Sequence, residues 1–106
     1  SLAYEAVSAD PTLGAAYSFI AMLYEQTRNC GASELENQSV YWAAVDKYQK
    51  AMSVDPSLRE ECQNRITYLT SFFPTTEQVF FQDKQKGDAF KVPCWINEMT
   101  TVRTRD

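Results

Sequence analysis

The phrase "AVSADPTL" at residues 6–13 recurs 45 positions later as "AMSVDPSL" at residues 51–58. In both copies a small alanine precedes an Asp-Pro pair, with helix-forming residues on either side. Proline cannot continue a preceding helix, and a small residue about one turn earlier allows two helices to approach closely. The repeated phrase therefore predicts two successive corners between packed helices.

Apolar residues at three- and four-residue spacings predict three main helices around these corners. They are expected over 12–26, over roughly 35–54 and over 58–72. Their predicted N-terminal caps are Thr12, a capping box of Ser33 with Glu36, and a capping box of Ser57 with Glu60.

Beyond Pro74 the pattern changes. Thr75 and Gln78 have capping-box spacing, and Gly87 is a candidate C-terminal stop, so a short helix is predicted between them. The alternation that follows predicts a β-hairpin turning at Asn97 and Glu98, with a longer connecting loop as the alternative. The alternating apolar residues are Phe90, Val92, Cys94 and Ile96.

Small and aromatic residues in the first two helices have a spacing that resembles the tetratricopeptide repeat (TPR), a family of antiparallel helix pairs with a period of about 34 residues. The residues that match its packing positions are Tyr17, Ile20, Ala21, Tyr24, Ala44, Tyr48, Ala51 and Pro56. The resemblance implies a superhelix of stacked hairpins over residues 1–73. It comprises half a repeat, one full repeat with an insertion near 27–38, and a capping helix over 58–72.

Two departures from the family pattern are visible. The period is 45, and the last helix carries Cys62, Arg65 and Leu69 where the family has large aromatic or aliphatic residues. Residues 74–106 resemble the end of certain multi-repeat bacterial proteins, in which a helix and a small β element close the array. That resemblance implies export, and hence the periplasm over the cytoplasm, whereas the sequence alone leaves the compartment open.

The composition argues against several functional classes. The chain has no histidine and no phosphate-binding glycine loop, so we expect neither an enzyme nor a cofactor or metal. A net charge of −4 argues against nucleic acid, and no apolar run is long enough for a membrane span. One disulfide with a free thiol and three buried thiols are both compatible with three cysteines, and buried thiols are the preferred interpretation, with Cys30 the most exposed.

Two functions remain. The first is a protein-interaction module ending a longer array and binding a segment of a protein or peptide partner on the concave helical face. By the family's pattern, that groove carries Ala15, Ser18, Met22, Glu25, Gln26, Glu60, Gln63 and Thr67. The alternative is a structural or assembly element of an envelope complex, docking through Trp95, Arg103 and Arg105.

Two further expectations concern aromatic and apolar side chains. The tyrosines at helical spacing are assigned to the core, and Trp42 is kept apart from them as a possible ligand contact. The chain is expected to be a fragment that packs on upstream repeats of the same protein, and the isolated piece is expected to self-associate. The residues expected to carry that contact are Leu2, Ala3, Tyr4 and Val7.

Overall fold

The computed structural model describes residues 10–106, which form four α-helices and a two-stranded antiparallel sheet. The helices are α1 (Pro11–Glu25), α2 (Glu34–Val54), α3 (Arg59–Thr70) and α4 (Thr76–Phe81), with a 3-10 turn at Pro56–Leu58. The strands are β1 (Ala89–Lys91) and β2 (Met99–Thr101). The predicted mainly helical chain with a small β element is thus confirmed, while the half repeat and the self-association face lie outside the described residues.

At the first corner, Asp10 caps α1. Its carboxylate accepts the Leu13 amide at 3.0 Å, and Pro11 occupies the first helical position, where its missing N–H costs nothing. The prediction of Thr12 as the cap is therefore wrong by two residues. The Asp10 amide also donates to the carbonyl of Val54 at 2.8 Å, so the start of α1 lies beside the end of α2.

At the second corner, Asp55 is only 2% exposed and accepts both the amide and the hydroxyl of Ser57, at 3.1 and 2.7 Å. Ser57 is therefore a donor to Asp55, and its predicted capping box with Glu60 is not formed. Helix α3 begins after the 3-10 turn without a side-chain cap. Gly14 of α1 packs directly against Asp55, because a Cβ at Gly14 would lie 2.7 Å from the Asp55 Cβ.

Helix α2 is the centre of the fold. The helix confirms the predicted span, and its N-cap Ser33 accepts the Glu36 amide at 3.1 Å. The predicted box is only half formed, because the Glu36 carboxylate accepts from Ala32 instead of Ser33. Buried residues occur all round α2, and they are Leu35, Ser39, Val40, Trp42, Ala43, Ala44, Val45, Tyr48 and Ala51.

The C-terminal segment folds back onto α2 at Trp42, which is fully buried. The indole N–H donates to the carbonyl of Arg103 at 3.1 Å, and the ring meets Phe90 edge to face at 5.4 Å. The Arg103 guanidinium donates back to the Trp42 carbonyl at 2.9 Å and pairs with Asp46. The prediction that Trp42 lies apart from the core is therefore wrong, because Phe90 and Arg103 of the C-terminal segment cover it.

The short helix α4 confirms the predicted capping box, in which Thr75 and Gln78 satisfy each other's amides. Gly87 is not its C-terminal stop. The helix ends at Phe81, and Gly87 lies in the turn that enters β1, with φ of 93°. The strands pair with Phe90 opposite Thr100, and the longer loop over 92–98 joins them rather than a tight turn.

Cys30 and Cys94 form a disulfide with a Cα–Cα distance of 6.1 Å, and Cys62 is a free buried thiol. The preferred interpretation of three buried thiols is therefore wrong. The strand alternation ends before Pro93, and Cys94 is an exposed loop residue with φ of 67°. The bridge ties the α1–α2 connection to the hairpin loop.

None of the helices in residues 10–106 has both the length and the apolar character required to cross a bilayer.

Gly14→Ala tests the contact between the two corners. A helix-interior alanine alone would add up to about 1 kcal/mol to the free energy of unfolding, but the clash with Asp55 reverses the sign. We expect a net loss of about 1–2 kcal/mol in chemical denaturation. Gln63→Ala, at an exposed α3 position, is the control and should stay within about 0.5 kcal/mol. A more stable Gly14→Ala protein would contradict the close approach.

The two tryptophans provide a matched test of the Trp42 anchor. Trp42→Phe leaves a cavity and an unpaired Arg103 carbonyl, so we expect a loss of about 2 kcal/mol in the free energy of unfolding. Trp95→Phe, at a side chain that is 59% exposed, should cost less than about 1 kcal/mol. Equal losses in urea titrations would show that Trp42 does not anchor the C-terminal segment.

Candidate functional site

A groove of about 590 Å³ runs between α1 and α3. Helix α1 supplies one wall, α3 and the preceding turn supply the other, and Tyr48 of α2 lies at the floor. The lining residues are Ala15, Ser18, Phe19, Met22, Tyr48, Leu58, Glu61, Asn64 and Arg65. The α1 wall is apolar because α1 carries no charged residue before Glu25, its last position.

The floor of the groove is a polar junction between the three long helices. The Tyr48 hydroxyl of α2 donates to Glu25 of α1 at 2.8 Å, and Arg65 of α3 pairs with the same carboxylate. The Glu25 side chain is 11% exposed, whereas Arg65 remains 43% exposed and lies 4.8 Å from the centre of the Tyr68 ring. One carboxylate thus fixes the relative positions of the helices that form the groove.

Burial, and then the hydrogen bond and the negative charge of Glu25, raise the pKa of Tyr48 to about 12. Its phenol therefore stays protonated and remains a donor to Glu25. At the preceding residue of α1, burial and the hydrogen bond to Glu98 raise the pKa of Tyr24 in the same way. Both tyrosines serve as neutral donors that satisfy carboxylates.

The structure brings together part of the predicted groove. Ala15, Ser18 and Met22 line it, and Glu25 lies at its floor, whereas Gln26 is exposed beyond the end of α1. The lining residues and Glu25 therefore share one face of α1.

On α3 the predicted and observed groove residues differ. Glu60, Gln63 and Thr67 are exposed but do not line the groove, and Glu61, Asn64 and Arg65 line it instead. In the sequence, Arg65 departs from the family pattern because it places a charge where that pattern has an aliphatic residue. Such a charge indicates a partner of opposite charge, and in the structure that partner is Glu25.

The second predicted surface is only partly free. Trp95 is 59% exposed, meets Tyr24 edge to face at 5.2 Å, and donates to the Thr27 hydroxyl at 3.1 Å. Arg103 is engaged with Trp42 and Asp46. Arg105 donates to the carbonyl of Phe73 at 2.8 Å. The two guanidinium groups are therefore engaged within the chain, and the exposed aromatic ring is the accessible part.

Among residues 76–104, a cavity of about 640 Å³ lies beside α4, between Phe80 and the turn with Lys84 and Lys86. Its walls come from one short helix, the turn that follows and Thr104. We assign the candidate site to the α1–α3 groove, because three long helices and a buried carboxylate hold its walls in place.

Tyr48→Phe tests the junction at the floor of the groove. Loss of a hydrogen bond to a carboxylate should lower the free energy of unfolding by about 1–2 kcal/mol at pH 7. Because the folded-state pKa lies above the ordinary value of 10, the Tyr48 contribution is complete below pH 10 and is lost as the pH rises towards 12. We therefore expect the deficit of the variant to shrink over that interval in urea titrations.

The pKa of Tyr24 is also raised, and the Tyr48→Phe variant keeps this tyrosine. The variant should therefore still lose some stability at alkaline pH. A deficit that stays constant from pH 8 to 12 would contradict the Tyr48–Glu25 bond.

Comparison of the chain with protein-family models, with curated proteins and with solved structures returned no match. A functional assignment therefore depends on the geometry of the groove and of the Tyr48–Glu25–Arg65 junction.

Proposed function

We propose that this chain is a non-enzymatic protein-interaction module of the TPR type that ends a longer repeat array. Its α1–α3 groove binds a segment of a protein or peptide partner. The observation that carries the proposal is an open groove whose α1 wall is uncharged and whose floor is held rigid by the Tyr48–Glu25–Arg65 junction. A preformed apolar groove with few polar groups is the usual form of such a site.

The packing of the helices supports the TPR assignment. Ala21, Ala44 and Ala51 are fully buried, which allows α1 and α2 to approach closely. Tyr24 and Tyr48 are nearly buried, Tyr17 and Ile20 pack partly against the core, and Pro56 lies at the corner before α3. Because the C-terminal segment covers α2 at Trp42, it leaves the α1–α3 face open to a partner.

The groove chemistry favours a segment with apolar side chains. Phe19 is 56% exposed and Met22 is 38% exposed, so a partner side chain would remove a large apolar area from water. Methionine adapts to ligands of different shape, and Ser18 and Asn64 supply hydrogen bonds at the edges.

The Cys30–Cys94 disulfide supports an oxidising compartment, and we propose the periplasm on that basis.

A second candidate is an assembly role through the C-terminal hairpin, without a groove ligand. Trp95 and Met99, each 59% exposed, favour it because exposed large apolar side chains are typical of interfaces. Arg103 and Arg105 add less to this surface because they are bonded within the chain.

Peptides selected from a random display library on the immobilised protein test the groove. We expect selected peptides to bind the native chain and to lose at least tenfold in affinity with Met22→Glu, because the carboxylate would be desolvated against the apolar wall. Leu23→Glu is the matched control, because Leu23 follows Met22 directly, is 36% exposed and does not line the groove. Affinities are measured by titration calorimetry.

The two candidates give opposite results with the same peptides. Peptides that bind Met22→Glu normally and lose affinity with Trp95→Ala would refute groove binding and support the hairpin. Loss with Met22→Glu alone supports the groove.

A further inference from the structure

The loop over residues 92–98 is attached to the end of α1 by one covalent bond and several weak contacts. Cys94 is bonded to Cys30, and Trp95 donates to Thr27. Glu98 accepts from the Tyr24 hydroxyl and pairs with Lys47 at 3.1 Å. The Lys47–Glu98 pair and the Trp95–Thr27 bond lie near the surface and are individually weak, whereas the Tyr24–Glu98 bond and the core side chains of Val92 and Ile96 hold the ends of the loop.

The backbone is in an unfavourable conformation on both sides of the disulfide. Cys94 has φ of 67°, and Asn29, adjacent to Cys30, has φ of 53°. The left-handed region is disfavoured for a residue with a Cβ, and less so for asparagine. Such conformations persist only where the surroundings impose them, and here the bridge is part of those surroundings.

The disulfide is also accessible. Cys94 is exposed and Cys30 is partly exposed, whereas the free thiol of Cys62 is fully buried. A thiolate can therefore reach Cys94 without opening the core, and accessible, strained disulfides are the ones that exchange most readily.

We propose that the Cys30–Cys94 disulfide is a reversible modification site, a redox latch that a dithiol oxidoreductase opens and closes. A thiolate of the reductant attacks Sγ of Cys94, the Cys30–Cys94 bond breaks, and Cys30 leaves as a thiolate that takes a proton from water. The second thiol of the reductant, as its thiolate, then displaces Cys94. The reductant becomes a disulfide, and two electrons pass to the two cysteines of the chain.

Opening the latch frees residues 93–95, whereas Val92 and Ile96 stay buried in the core and keep the two ends of the loop in place. Trp42 with Arg103, and Asp46 with Thr100, hold the remaining C-terminal segment on α2 independently of the bridge. The release of Trp95 uncovers Tyr24, which is 4% exposed beneath that ring in the oxidised protein. The latch thus controls access to the end of α1.

The test is reduction without denaturant, first by dithiothreitol and then by thioredoxin with its reductase. Thiols are trapped with iodoacetamide and counted by intact mass. We expect two alkylated cysteines per chain, with Cys62 labelled only after unfolding. Hydrogen exchange of the reduced protein should stay unchanged in α2 and at the Val92 amide, which donates to Glu98, because opening is confined to residues 93–95.

Two variants distinguish local opening from global unfolding. Trp95→Ala removes weak contacts of the loop and should raise the reduction rate several-fold. Gly14→Ala destabilises a distant corner and should leave the rate unchanged. A rate that rises with Gly14→Ala but not with Trp95→Ala would overturn the latch, as would the absence of alkylation in native conditions. Reduction by dithiothreitol but not by thioredoxin would exclude the enzymatic form.

Discussion

The fold depends on the burial of α2 on almost all sides. Helix α1 packs on the face that includes Tyr48, and the C-terminal segment packs on the face that includes Trp42. Helix α3 contacts a third part, and Phe72, two residues beyond the end of α3, stacks on Tyr41 at 5.3 Å. A helix that is apolar on nearly all sides is shielded from water only when every neighbour is present. Helix α2 therefore couples the groove to the C-terminal segment.

Ion pairs set the arrangement of these neighbours more than they stabilise it. Glu25 pairs with Arg65, Asp46 with Arg103 and Lys47 with Glu98, and each pair joins different elements. Partly exposed pairs contribute little net free energy, whereas hydrophobic burial around Trp42 contributes several times more. The pairs instead select one register, because a shift of one residue along either partner would separate the charges.

Local patterns predicted the helices, and distant contacts explain the errors. Periodicity located α2, and capping-box spacing located α4, because both signals are confined to neighbouring residues. At the corners, the pattern predicts Thr12 and Ser57 as caps, whereas Asp10 and Asp55, which precede the prolines, take that role in the structure because Asp is an equally good cap. Neither the burial of Trp42 nor the α3 residues that line the groove could be predicted from local patterns, because residues far along the chain determine which face of each helix is covered.

The spacing of 45 between the two corners acquires a physical role in the structure. The segment near 27–38 carries Cys30 and Thr27, which hold the hairpin loop, and it also contains the first turn of α2. A shorter connection between α1 and α2 would lack this attachment point. The connection and the C-terminal segment are therefore complementary parts, because one supplies the site to which the other is bonded.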